Sequence, residues 1–179
     1  MDRQDAAGAE PEGLAGFEAA VLPHLDDAYA LARYLTRDDY DAQDVVQEAF
    51  LRALRHFGGY RGGDARVWLL TIVRHTAFTW IRRSSRHRSV SLELVETVAT
   101  PPGQGAEASL YQSESRRRIE GALSELPVES REVVVLRDMH DLSYREIALT
   151  IGIPVGTVMS RLARARGRLR AILGSREEA

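Results

Sequence analysis

From Phe17 to Leu169 apolar residues return every three to four positions, and no alternating run of polar and β-branched residues is long enough to make a strand. Such a chain buries its apolar stripes only by packing helix on helix, so the fold class is all-α. Phe17, Val21, Leu25, Ala28, Leu31, Ala32 and Leu35 mark a first helix, interrupted near Pro23, whose ring removes an amide donor. A second starts near Asp38 to Asp41, where carboxylates suit the positive end of the helix dipole. It buries Val45, Ala49, either Leu51 or Leu54, and Phe57 before Gly58 and Gly59 stop it. A third is expected from about Ala65 to Arg83, with Trp68, Leu69, Ile72, Thr76 and Trp80 inward.

The period lapses from His87 to about Ser113, where Pro101, Pro102, Gly103, Gln104 and Gly105 stand together, the composition of a flexible linker. Beyond it, Ile119, Leu123 and Leu126, then Val133 to Leu136, then Ile147, Leu149 and Ile151, then Val158, Leu162, Ala165 and Leu169 predict four more helices, all short. The expected architecture is therefore two small helical domains joined by a flexible linker, the C-terminal one containing a helix-turn-helix. Its boundaries are a disordered tail over 1–13, a first domain over 14–86, the linker over 87–115, a second domain over 116–173, and a tail over 174–179.

Composition removes several classes of function. The chain has no cysteine, which excludes disulfides, thiol catalysis, thiolate zinc sites and iron–sulfur clusters. His24, His56, His75, His87 and His140 are scattered, with none at i,i+4 spacing, so no metal and no cofactor is assigned. The acidic start, Met1 to Gly13, lacks a basic stretch followed by an apolar run, and the longest apolar runs, near Val67 to Val73 and Val133 to Leu136, are too short to cross a bilayer. A cytoplasmic protein without direct membrane insertion is the expectation.

Net charge is −2, but it is unevenly spread. Residues 1 to 50 hold twelve carboxylates against three arginines, whereas the rest of the chain holds fourteen against twenty-one. One end suits a basic partner and the remainder a polyanion.

The most informative segment is Leu142 to Leu173. Ser143 is placed to cap a helix and Glu146, three residues on, to complete a capping box. Gly152 permits a left-handed turn, and Pro154 opens the next helix, where its missing N–H is tolerated. Two helices across so short a turn read as a helix-turn-helix. In the second, Val158, Leu162, Ala165 and Leu169 line a buried stripe, leaving Thr157, Met159, Ser160, Arg161, Ala163, Arg164 and Arg166 on the other faces. Small side chains and arginines on such a helix suit a major groove, with base edges read near its N-terminus and phosphates held by flanking arginines.

Leu126-Pro-x-x-x-Arg131-Glu132-Val, then Leu142-Ser-Tyr-Arg-Glu-Ile-Ala and Pro154-Val-Gly-Thr-Val-Met-Ser-Arg-Leu162, resembles the C-terminal domain of the extracytoplasmic-function sigma factors of bacterial RNA polymerase, in the sigma-70 class. Upstream, Asp41-Ala-Gln-Asp44-Val45-Val-Gln47-Glu48-Ala-Phe50 resembles the segment with which that family grips the clamp helices of the polymerase largest subunit. Trp68-Leu69 followed by Arg82-Arg83 resembles its promoter-melting helix. The resemblance spans nearly all of residues 14 to 173. It implies a non-enzymatic subunit that directs core RNA polymerase to promoters, with clamp helices, flap and promoter DNA as partners and an anti-sigma factor as inhibitor.

Site residues follow from the same resemblance. Polymerase binding falls to Asp41, Asp44, Val45, Gln47, Glu48 and Phe50. Recognition and melting of the −10 element fall to Tyr60 and Arg61 in the loop Gly58 to Asp64, which resembles the family's pocket for a flipped base, and to Arg74, His75, Phe78 and Arg82. Reading of the −35 element falls to Thr157, Met159, Ser160, Ala163 and Arg164, with Arg161 and Arg166 steadying the backbone. His75 stands where many relatives have Asn, and Met159 where they often have Lys or Arg. Asp41, Asp44 and Glu48, at i, i+3 and i+7, share a helix face beside Gln47 and can meet a basic helix as a ridge. Taken alone, that face also suits a solvated helix, and the loop a plain turn.

Two other readings compete. A one-component regulator binding an operator would use the same helix-turn-helix but leaves the acidic and Trp/Arg helices unexplained. An enzyme with an accessory DNA-binding module finds no support in the sequence, which has neither GxxxxGK[ST] nor GxSxG.

Overall fold

The computed structural model describes residues 11–88 and 108–175. Among these, every regular element is helical. Helix α1 (Pro11–Val21) passes through a single 3-10 turn, Leu22–His24, into α2 (Leu25–Thr36). The break falls at Pro23, as its ring requires. Arg37, in the left-handed conformation (φ 63°), ends α2, and Asp38 caps α3 (Asp39–His56) by accepting from the Asp41 amide at 2.8 Å. A 3-10 turn, Phe57–Gly59, and a glycine-rich loop lead to α4 (Ala65–Arg88).

Helices α2, α3 and α4 pack on one another around Leu31, Leu35, Val45, Ala49, Leu69, Leu70 and Val73. The inward face of α4 is rotated from the expected one. Leu69, Leu70, Val73, Thr76 and Ala77 are buried, while Trp68, Ile72 and Trp80 sit at its margin. In α3 the choice falls on Leu54, since Leu51 is exposed, and Leu25 likewise faces out at the start of α2.

The second half comprises α5 (Ala108–Glu125), α6 (Val128–Val134) running on through a wide π turn (Val135–Met139), α7 (Tyr144–Ile151) and α8 (Val155–Ser175). These helices are not all short: α5 has 18 residues and α8 has 21. Helical structure extends into the stretch expected as linker, α4 continuing to Arg88 and α5 beginning at Ala108. Pro101 to Gly105 lie outside the described residues, as do residues 1–10 of the N-terminal tail and 176–179 of the C-terminal one. Leu149 and Ile119, counted with the apolar period, are exposed.

The two halves are packed together, α2 against α5 and α6, and α4 against α7. Arg131 makes the central joint. Its guanidinium is buried and donates to five carbonyls: Leu123 at 2.9 Å, Ser124 at 3.4 Å and Leu126 at 2.9 Å in its own half, Tyr34 at 2.9 Å and Leu35 at 3.1 Å in the other. Those oxygens belong to the C-terminal ends of α2 and α5, where carbonyls lack intrahelical donors and the helix dipole favours a cation. Burial, with Arg37 adding a like charge, pushes the Arg131 guanidinium down to about 10, which still leaves it charged at neutral pH.

Candidate functional site

Three surfaces carry the residues singled out by the sequence. On α3, Tyr40, Asp44, Gln47 and Leu51 fall at i, i+4, i+7 and i+11, and all four are exposed, Tyr40 to 81%. The acidic ridge thus has an apolar residue at either end, a feature that motif matching did not single out but that the helical spacing contained. Glu48 flanks the ridge and accepts from Arg52 Nε at 2.7 Å, a bond that holds its carboxyl below the usual range. Asp41 is half-buried and lines a groove between the halves with Arg37, Leu126 and Pro127. Three members of the expected set stand off this exposed ridge, Asp41 in that groove and two others turned inward. Val45 is fully buried in the core, and Phe50 packs inward against Phe17 with ring centroids 6.4 Å apart. Both follow the apolar stripe of α3, so their part is to hold the ridge in place.

The loop between α3 and α4 is built on aromatic rings. Tyr60 stacks on Phe57 (centroids 5.6 Å, 19° between planes) and leans on Trp68 at 5.0 Å. Its hydroxyl donates to the Gly63 carbonyl at 2.7 Å, closing the loop on itself. Gly62 and Gly63 take φ of 84° and 101°, the left-handed region where a Cβ is strained. Arg61 is exposed at the tip. A rigid turn with ring faces and a guanidinium can hold an unstacked base against a phosphate.

Along α4, His75 and Arg82 are exposed and Phe78 is partly buried. Partial desolvation by the surrounding chain first, then the neighbouring Arg74, hold the His75 imidazole below its ordinary value. Arg74 is different. It lies over the Phe78 ring at 4.6 Å and donates through Nε to Glu132 Oε2 at 2.7 Å, across the junction between halves. The expected nucleic-acid surface of α4 is therefore partly occupied by the chain itself.

The C-terminal surface has the predicted local structure. Ser143 accepts from the Glu146 amide at 3.2 Å, and Glu146 accepts in return from the Ser143 amide at 2.6 Å. Gly152 ends α7 with φ 77°, and α7 and α8 meet at 100°, within the range of helix-turn-helix units. Pro154 stands just before α8 rather than inside it, its carbonyl accepting from Thr157 and Val158. Val158, Leu162 and Ala165 are buried and Leu169 packs beside them. Met159, Ser160, Ala163 and Arg164 form the exposed face, with Thr157 half-buried at its edge. Arg161 and Arg166 are engaged within the domain, Arg161 with Glu132 at 3.3 Å and Arg166 with Asp138.

Among the described residues no group of His, Asp or Glu is arranged to hold a metal ion, and no single helix is long and apolar enough to cross a membrane.

Comparison with known proteins agrees with this division. Residues 20–87 match the family model for sigma-70 region 2, and residues 116–169 that for sigma-70, region 4. The chain is 35% identical over 176 residues to the ECF RNA polymerase sigma factor SigE of Mycolicibacterium smegmatis, which covers 92% of this chain and 68% of that protein. It is 38% identical over 160 residues to the ECF RNA polymerase sigma factor SigM of Mycobacterium tuberculosis, 88% of this chain and 77% of that one. Among solved structures, the sigma factor RpoE from Bartonella quintana, in complex with the anti-sigma factor NepR, matches with a TM-score of 0.75 at 28% identity, over 89% of this chain and 97% of that one. With both regions present in order, and relatives matched over most of their length, the chain belongs to the extracytoplasmic-function family of RNA polymerase sigma factors.

Proposed function

We propose that the two halves of this sigma factor divide promoter recognition as the three surfaces suggest. The exposed ridge of α3, with Asp44, Gln47 and Glu48 framed by Tyr40 and Leu51, binds the clamp helices of core polymerase. The loop at Tyr60 and Arg61, together with Arg74, His75, Phe78 and Arg82, holds the melted −10 element. Met159, Ser160, Ala163 and Arg164 read the −35 element in the major groove, while the C-terminal domain docks on the polymerase flap. The observation that carries the reading is the α8 face: a short exposed row of one methionine, two small side chains and an arginine, presented by a helix that follows α7 across a tight 100° turn. Arg161 and Arg166, tied to Glu132 and Asp138, brace that helix and face phosphates only at its margins.

The factor acts without catalytic chemistry of its own, works in the cytoplasm, and is held in check by an anti-sigma factor, as RpoE is seen bound to NepR. Native co-purification with bacterial core RNA polymerase, followed by transcription of a genomic library with the reconstituted enzyme, tests the reading. Stoichiometric binding and new start sites sharing −35 and −10 elements are expected. Tight operator binding by the chain alone, with no affinity for polymerase, would replace it with a one-component regulator.

A further inference from the structure

Glu132 is fully buried and faces two arginines from two different domains. From α4 of region 2 comes Arg74, with Nε at 2.7 Å from Oε2 and Nη2 at 3.4 Å from Oε1. From α8 of region 4, its own domain, comes Arg161, with Nη1 at 3.3 Å from Oε1. Burial pushes the Glu132 carboxyl up, against the pull of Arg74 and Arg161. We propose that Glu132 is an internal competitor for Arg74, standing where a DNA phosphate would stand, so that the closed chain withholds Arg74 from the −10 strand until the domains separate. The proposal rests on the assignment of Arg74 to −10 DNA made above.

The third member of the cluster is what makes the contact reversible. Breaking a buried ion pair by removing one partner strands a charge away from water, which strongly disfavours the opened form. Here Arg161 travels with Glu132 on region 4 and stays beside it when Arg74 departs, so the carboxylate keeps a counter-ion in both forms. Arg74 in turn exchanges one anion for another, a carboxylate for a phosphate, while its guanidinium lies over Phe78 on the same helix. The rest of the junction does not share this design. The Arg131 bonds to Tyr34 and Leu35 and the Arg33–Glu120 pair close the domains without involving residues assigned to DNA.

Two substitutions in the full-length chain should act in opposite directions. Glu132→Gln removes the competitor and should open the chain, whereas Arg161→Gln leaves Glu132 dependent on Arg74 and should close it further. Opening is read as the distance between spin labels on Glu18→Cys and Gly174→Cys, both exposed positions in a chain without other cysteines. DNA access is read as binding of the single non-template strand of a −10 element mapped by the transcription experiment. For Glu132→Gln a longer-distance population and roughly tenfold tighter strand binding are expected, since apparent affinity scales with the competent fraction. For Arg161→Gln the long distances and strand binding should both fall. Should Glu132→Gln fail to fold, Arg74→Gln must still lengthen the distance. Wild-type distances in the folded variants, opening by Glu132→Gln without tighter strand binding, or a shift of both variants in the same direction would overturn the proposal. Failure of the sigma reading itself would appear separately, as loss of polymerase-dependent transcription by the unaltered chain.

Discussion

At the scale of single residues, the arginines of α8 look alike in sequence and differ in what they touch. Arg164 is exposed, its Nε 3.3 Å from the Ser160 carbonyl one turn back, and it borders the face formed by Met159, Ser160 and Ala163. Arg164→Ala is therefore expected to weaken binding to a −35 duplex by ~1–3 kcal/mol and to relax preference at one base position. Equilibrium binding across a set of single-base variants checks this: an even loss would make the contact one to phosphate, and unchanged affinity would remove Arg164 from the face. The buried stripe of α8 was legible because its spacing is local. The engagement of Arg161 and Arg166 was not, because their carboxylate partners lie 29 and 28 residues away in the chain. Val45 and Phe50 show the converse. They fall within the stretch that resembles the family's polymerase-binding segment, yet both side chains lie on the inner side of α3.

Among elements, α7 shows how much of a helix can be written at its ends. Its start and stop were legible from Ser143, Glu146 and Gly152 alone, since caps are built from neighbours in sequence. Ser143→Ala should lower unfolding stability by about 1 kcal/mol, leaving the Glu146 amide without its acceptor. At Gly152 no heavy atom crowds the place of a Cβ, so Gly152→Ala meets only backbone strain. A loss of about 1–2 kcal/mol is expected, with Gly152→Asn milder. Urea unfolding of the three variants checks the ranking. Helices α4 and α5 lacked such punctuation at the linker, and their extension to Arg88 and back to Ala108 was hidden in a Ser-, Arg- and Glu-rich stretch that suits loop and helix alike. On α3, reversing Asp44 and Glu48 to Arg together should abolish assembly with core polymerase while the helical circular dichroism stays unchanged. Because Glu48 is engaged with Arg52 and Asp44 is exposed, Asp44→Arg alone should account for most of the loss. Normal assembly by the double variant would move the polymerase contact elsewhere.

For the whole molecule, the decisive contacts join residues about a hundred positions apart, and no local pattern announces them. Arg131 with Tyr34 and Leu35 is one such joint, and Asp27 with His140 is another. His140 is buried, with Nδ1 at 3.1 Å from Asp27 Oδ1 and Nε2 buried without a partner. Burial holds its imidazole below the ordinary value of 6.5, although the Asp27 carboxylate pulls the other way and Arg66, paired to Asp27, adds to the lowering. A proton on Nε2 would be a charged donor buried without an acceptor, so the folded chain refuses the proton that an unfolded one accepts near pH 6.5. Stability therefore rises with pH across that window: the contribution is fully present above about 6.5 and is lost as pH falls toward the lower folded value. Glu132, raised by burial, contributes with the opposite sign, losing stability as pH rises through its folded value. Measuring urea midpoints from pH 7.5 to 5.5 for the wild type and for His140→Gln separates the two. The wild type should lose stability on acidification and the variant distinctly less. Parallel curves would mean that the Asp27–His140 contact does not sense pH.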